Sequence, residues 1–462
     1  MDNLQKNIHL LSRATFGIAA NDVADLKNKI PKILLQTLMN DSQNIVPLDS
    51  VDKTAEEEMQ NKRDAKQDMA AIIQSKRAEI LALNLAWMEK LQNDKAQLRE
   101  KMTFFWHGHF AGRIRFSSMA QSLNNIIREN ALGNFGDLLM AVSKSPAMIL
   151  FLNNQQNRKQ QPNENFAREV MELFTMGRGN YIEKDVKEAA RAFTGWAFKR
   201  RAGEFEFREN QHDDGRKIFL GEEGNFKGED IIAIILKQKK TAQFIVNKIY
   251  KFFVNENIDS SITTKLADDF YKSNYNIEQL MFTIFSSDWF YDPMNVANRI
   301  KSPVELATSM NKLFTPVYDN EKYMLRIQQA LGQVLFFPPN VAGWPGGRAW
   351  IDSSSLFFRL KLASVILNKG SFDFDEKDNM DDELFMVNRK QKADKIAMLK
   401  IEVDWQKILD QFSKIKNENE LQILLLGKSL SPAQQKLLPE FSTANLKEYI
   451  LSLLSLPEYQ LS

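Results

Sequence analysis

The chain has no cysteine among its 462 residues. Disulfides, thiolate nucleophiles and thiolate metal sites are excluded together, so any metal must be held by nitrogen and oxygen. Histidine is nearly as scarce, with only His9, His107, His109 and His212. An excess of one charge is missing too: 61 Lys and Arg stand against 59 Asp and Glu, a formal +2. That balance gives no global pull toward nucleic acid or anionic membrane, and no nucleic-acid partner is expected. No apolar run approaches the roughly 20 residues that span a bilayer, so no transmembrane segment is expected. MDNLQKNIHLLSRATFG, from Met1, lacks a long apolar core behind its positive charges. As given the chain therefore reads as cytoplasmic, whereas a start further upstream would make it periplasmic or envelope-associated. A phosphate-cradling glycine loop, a dinucleotide fingerprint and a nucleophile elbow are all absent, so no nucleotide cofactor is expected.

What is present is mostly helical pattern. Residues 4 to 39 read as two helices joined by a turn at Thr15 to Asn21, with Asn21 or Asp22 capping the second. Val51 to Trp106 contains neither glycine nor proline, which favours long helices. Its charged first half, TAEEEMQNKRDAKQDM, is a solvated face or arm, while Ile80, Leu83, Trp87 and Leu91 must pack. Residues 117 to 152 read as three short helices, with Pro146 starting one, and helices resume from Gly228 to Tyr291. Alternation in GEFEFRE predicts a β-hairpin. The acidic segment Asp373 to Glu383 lacks the glycine and spacing of a calcium loop and reads as a linker. The expected fold is thus mainly α: a multi-helical main domain over residues 1–370, with one small β-hairpin insertion at about 196–221. An acidic linker at 371–391 would lead to a C-terminal helical extension at 392–462, packed on the main domain.

The densest polar pattern runs from Asn163 to Trp196. Pro162 and Asn163 open a helix that Gly177 and Gly179 close, and a second follows from about Glu183 to Thr194. At 100° per residue, Phe166, Val170, Leu173 and Phe174 form an apolar stripe, with Asn165, Arg168, Glu169 and Glu172 on the flank beside it. Small residues Ala189, Ala190 and Ala192 allow close helix approach, which would bury that flank. The flank is then either a catalytic face or simply an Arg168–Glu172 pair at i, i+4.

In Phe104–Phe110 two histidines stand at i, i+2. They share one side of an extended segment if the helix breaks at Gly108, and that spacing suits a metal; the other reading is two imidazoles hydrogen-bonded within a core. His212 lies in the hairpin's connection, where function concentrates. Ser302, Pro303 and Glu305 form a capping box, leaving Arg299 and Lys301 to bind an anion at that helix N-terminus. Trp344 and Trp350 lie on a Gly- and Pro-rich loop, where with Trp196 they are either stacking surfaces or packed side chains.

Together the segments HLLSRATFG from His9, KMTFFWHGHF from Lys101, NENFAREVMELFTMG from Asn163 and RAFTGW from Arg191 resemble the bacterial family known as domain of unknown function 1800. KSPVEL from Lys301, PPNVAGWP from Pro338 and SLPEYQ from Ser455 extend the resemblance over nearly the whole chain. Members often carry an export signal and lie beside genes for sulfatase-like proteins, which implies a role at the cell envelope or on polysaccharide. The chain departs from them in showing no export signal, and in having Ile182 where a threonine is usual. Loss of that cap would weaken the second helix by about 1 kcal/mol.

Two functions are expected on these grounds. One is a metal-dependent hydrolase in which His107, His109 and His212 hold zinc, iron or manganese beside Glu169 and Glu172, with Arg168 or Asn165 holding an oxyanion. The alternative is a module that binds a glycan or a sulfatase-like protein without turnover, or a helical scaffold.

Overall fold

The computed structural model describes residues 1–23, 25–51, 69–199, 203–368, 401–415 and 417–462. Helices dominate, and the only sheets among the described residues are three antiparallel two-stranded ones. A single contiguous apolar cluster runs from the N-terminal helix to the last helical turns.

The first helix, Asn3–Ala14, is capped by the Asp2 carboxylate and buries Ile8, His9 and Arg13. No cap forms at Asn21 or Asp22: two short 3-10 turns follow, and the second helix starts only at Pro31, whose fixed φ suits the first helical position. Beyond Val51, helices Met69–Asn93 and Gln97–His109 are divided where the Asp94 carboxylate takes the Ala96 N–H. Ile80, Leu83, Trp87 and Leu91 are buried as their spacing predicts. The charged stretch before Met69, the acidic segment Asp373 to Glu383, and the expected boundaries at 370/371 and 391/392 lie outside the described residues.

The helices at Ser117–Asn130, Phe135–Lys144 and Pro146–Phe151 match the expected three, with Ser145 capping the last. The expected single hairpin is two: Trp196–Lys199 pairs with Glu204–Phe207, and Lys217–Phe219 pairs with Glu222–Gly224. Between residues 228 and 286 four helices follow in sequence, at Gly228–Leu236, Lys239–Phe253, Ser260–Lys272 and Ile277–Ser286. After them Pro303–Phe314 enters the core behind its capping box.

The C-terminal part returns to the start of the chain. Gln5 donates to the Gly427 carbonyl, Leu424 and Leu426 belong to the common core, and Trp405 Nε1 donates to the Leu367 carbonyl. The last residues form an antiparallel bridge, Ile300 to Leu461, with Ser462 N donating to the Arg299 carbonyl at 2.8 Å. Residues 299–303 and 457–462 are therefore held as one unit.

Candidate functional site

The flank at Asn163–Trp196 is not buried. The helix is α-helical only over Asn165–Glu169 and continues as a π-helix over Val170–Thr175, whose wider turns end a regular 100° projection. Phe166, Val170 and Phe174 are buried as expected, but Asn165 is exposed and Arg168, Glu169 and Glu172 are half-buried. The expected Arg168–Glu172 pair does not form. Arg168 instead makes a bidentate contact with Glu183 at 2.8 Å and reaches Glu164, while Glu172 accepts from Arg178 and Tyr181. Burial and Glu172 push Glu169 upward. Burial also acts to raise Glu172, but its bonds to Tyr181 and Arg178 prevail and hold it low. Without a threonine at 182, the Asp185 carboxylate still accepts the Ile182 N–H, and it also ties Leu220 N to the helix start.

The π-helix ends on free carbonyls, and one lysine and one histidine meet them. Lys248 Nζ donates to Leu173 O at 3.0 Å and lies 3.2 Å from His109 Nδ1, while His109 Nε2 lies 3.1 Å from Phe174 O. The consistent assignment has Nε2–H donating and Nδ1 accepting from the lysine, so both ring nitrogens are used. Burial pulls Lys248 down to about 8.

The helix does not break at Gly108, so His107 and His109 lie on different faces of Gln97–His109. Gly343 explains the need for glycine nearby: its φ is +81°, and a Cβ there would stand 2.3 Å from the Gly108 carbonyl oxygen. His107 Nε2 accepts the Phe336 N–H at 3.2 Å, and burial with the nearby Arg128 lowers it to about 3. It is therefore neutral, with its proton on Nδ1. His212 is tied by Nδ1 to Thr194 O at 2.9 Å, where it staples the hairpin pair to the helix at Glu183–Ala192. The three histidines thus serve three different neighbours, and among the described residues no group of three His, Asp or Glu side chains is gathered to hold a metal. The residues present do not fit the expected metal. Of the three tryptophans expected as stacking surfaces, Trp196 and Trp350 are buried in packing contacts, and Trp344, ring to ring with His107 at 5.7 Å, keeps partial exposure.

The polar groups that do converge are elsewhere. Glu305, buried, accepts from Lys101 at 2.5 Å, from Arg299, and from the Ser302 N–H at 2.8 Å. Val304 N is taken by Gln333 at 3.0 Å and Glu305 N by the Ser302 hydroxyl, so the helix N-terminus expected to bind an anion is closed. Among the described residues Lys301 Nζ has one hydrogen bond, to Tyr459 O at 2.8 Å, and it stands 4.1 Å from the Tyr459 ring centre. Arg359 donates to Lys301 O and Gln460, and Arg13 to Asn295 O and Asn298. Arg13 Nε and Nη1, Arg299 Nε and Arg359 Nη1 have no hydrogen-bond partner among the described residues.

Five buried cations, Arg13, Lys101, Arg299, Lys301 and Arg359, therefore act on one another around the side-chain carboxylate of Glu305, and Ser462, the last residue of the sequence, brings its own carboxyl group to the same cavity. Glu256, half-buried, is the other carboxylate that acts on Arg13. Burial raises Glu305, but Arg299 and Lys101 overcome it and hold it far below the usual carboxylate range. Burial lowers Lys101 to about 8 against the pull of Glu305, and lowers Lys301 to about 7. Lys101, Lys301 and Glu305 line a cavity of about 60 Å³ together with apolar residues such as Ile8, Ile18 and Leu424 and with the polar His9, Ser12, Thr15, Ser309 and Ser462. Its lining residues Ser12, Gly17, Gly427 and Leu461 are half-buried, which gives the cavity its side toward solvent.

Sequence reasoning reached Arg299 and Lys301 but missed Arg13, Lys101 and Arg359. The available signal was a cation inside an apolar helix: Arg13 four residues after His9, and Lys101 beside MTFFW. Glu305, 204 positions from Lys101, could not be paired with it by spacing.

Fold and site define a mainly helical protein with a cation-rich cavity lined in part by Tyr459, Leu461 and Ser462. The chain belongs to the family described as protein of unknown function (DUF1800), whose model matches residues 9–461. No curated protein and no solved structure matches it. No helix among the described residues is long and apolar enough to cross a membrane.

Proposed function

We propose that the protein is a binding protein for a small anion, held in the cavity between Lys101 and Lys301. One observation carries this reading: among the described residues five buried side-chain cations face Glu305, half-buried Glu256 and the carboxyl group of Ser462 around a cavity that two of those cations line, and so outnumber the acids. Uncompensated buried charge costs several kcal/mol per ion, and an anion in the cavity offsets that cost. The small size of the cavity makes it an end-group or small-molecule site, so a glycan or protein ligand would present an acidic group there.

Thermal unfolding in a chloride buffer of fixed ionic strength, with and without formate or sulfate, tests the reading. An anion at 100 times its Kd adds about 2.7 kcal/mol to the folded state, which raises the midpoint. Lys301→Met should lose that gain. An unchanged midpoint with every anion removes the proposal.

A second reading keeps hydrolysis of polysaccharide or envelope material, and one observation favours it. Glu169 and Glu172 are pushed in opposite directions, the pattern of an acid and a base. If Glu169→Gln and Glu172→Gln each abolish cleavage of an acidic polysaccharide, the pair is catalytic; cleavage at the parent rate in either variant excludes that role.

A further inference from the structure

We infer that Lys248 is a nucleophilic amine that forms an imine with an aromatic aldehyde, at a site separate from the anion cavity. Its surroundings fit a neutral amine better than an ammonium group. Among the described residues Nζ has two hydrogen-bond acceptors, Leu173 O at 3.0 Å and His109 Nδ1 at 3.2 Å. Both are uncharged: His109 spends its Nε2–H on Phe174 O, and burial together with Lys248 holds the imidazole far below its usual value. No carboxylate among the described residues pairs with Lys248, in contrast to Lys101 with Glu305. An ammonium group has three N–H bonds to place and an amine has two. The two acceptors therefore satisfy the neutral form completely and leave its lone pair in the third direction, whereas the charged form keeps one N–H unmet. The Phe244 ring, one turn earlier on the same helix with its centre 4.8 Å from Nζ, would attract a cation, yet burial prevails and pulls Lys248 down to about 8.

That ring also selects the electrophile. Lys248, Phe244 and Leu173 are each half-buried, so all three reach solvent beside the end of the π-helix. Gly177, with φ +79°, lets the Phe244 ring lie close to that end: a Cβ there would stand 2.9 Å from Phe244 Cδ2. Amine and ring face thus stand side by side, and a planar aromatic aldehyde stacks on Phe244 with its carbonyl carbon at Nζ. Nζ bonds to that carbon, the two amine hydrogens leave with the carbonyl oxygen as water, and a C=N bond remains. No oxidant or reductant takes part. Once protonated, the imine keeps one N–H for Leu173 O or His109 Nδ1.

Reductive trapping on the full chain tests the inference, with benzaldehyde or propanal and cyanoborohydride, read residue by residue through peptide mass mapping. At about pH 7.5 Lys248 should be labelled at least about tenfold faster than the exposed Lys240 and Lys272. Its rate should level off above about 8, while theirs keep rising toward about 10. Both contrasts are read within one folded chain, so loss of stability cannot produce them. Benzaldehyde should outpace propanal at Lys248 more than at the exposed lysines, and Phe244→Leu should bring that ratio down to theirs, with folding checked by circular dichroism. Labelling of Lys248 at the rate of the exposed lysines, or no labelling of it, would overturn the inference. A ratio unmoved in Phe244→Leu would overturn the aromatic class of the aldehyde.

Discussion

Glu100 and Glu305 are both buried carboxylates in a helical core, and their surroundings differ in one respect. Glu100 accepts two bonds from Arg128, at 2.6 and 3.1 Å, and one from Trp87 Nε1 at 3.0 Å. The guanidinium is spent on that carboxylate and on Asn125, and Arg99 nearby is satisfied by backbone carbonyls. Glu305 is just as fully bonded, yet more cations surround it than it can pair, and a cavity lies beside them. A balanced buried pair is complete as structure, whereas an unbalanced one needs a further anion or neutral lysines. Ion pairing by itself therefore says little about function; the local sum of charge and the space next to it say more.

The largest effect is expected where that comparison is broken outright. Glu305→Ala leaves the Lys101 and Arg299 charges buried without their carboxylate and should cost about 3 to 5 kcal/mol in urea unfolding, as should Glu100→Ala with Arg128. The two should then separate: added formate restores part of the loss in Glu305→Ala, which borders the cavity, and none in Glu100→Ala. Equal rescue would erase the distinction between the two sites.

A smaller effect asks whether any buried lysine suffices. Lys248→Met frees Leu173 O and His109 Nδ1 and should cost about 1 to 3 kcal/mol. The stabilisation by anions should survive in that variant, because Lys248 lies at the π-helix end. Its loss there would mean that the cavity is not where the anion acts.

The pH dependence sharpens the contrast at about 1 kcal/mol per pH unit per lysine. Lys301 falls to about 7 and Lys101 to about 8 in the folded chain, below the ordinary lysine value of 10.5. Between those values the unfolded chain keeps protons that the folded chain has released, so stability rises with pH from about 7 toward 10. Urea midpoints across that interval should climb in the chloride buffer without formate or sulfate and climb less in Lys301→Met. A flat profile in the parent would show the lysines to be charged throughout.

The smallest effect belongs to the surface. Arg168→Ala should cost under about 1 kcal/mol and less at high salt, because its contacts with Glu164 and Glu183 are made in water. A loss of several kcal/mol by equilibrium unfolding would mean that exposure is a poor guide to this network.

The helical class was legible because periodicity and capping are local. The Ser302 box, Pro146, and the buried faces of Ile80 to Leu91 and Phe166 to Phe174 follow from residues within one or two turns. The site was legible only in part. Arg299 and Lys301 stood out because the capping box left them over, but the helix N-terminus assigned to them is already filled by Gln333 and by the box itself. The histidine site failed for a similar reason: Gly108 permits a break but does not require one, and the helix carries through it.

Composition, periodicity and caps thus determined by themselves that this chain is mainly α, which faces its helices bury, and where several of them begin. Those properties depend on neighbours within a few residues. Tertiary structure alone decided that Arg13, Lys101, Arg299, Lys301 and Arg359 meet around Glu305, and that His107, His109 and His212 do not meet at all. Burial converts a balanced total charge into a local excess, because desolvation acts on the few charges enclosed together and not on the sum over the chain.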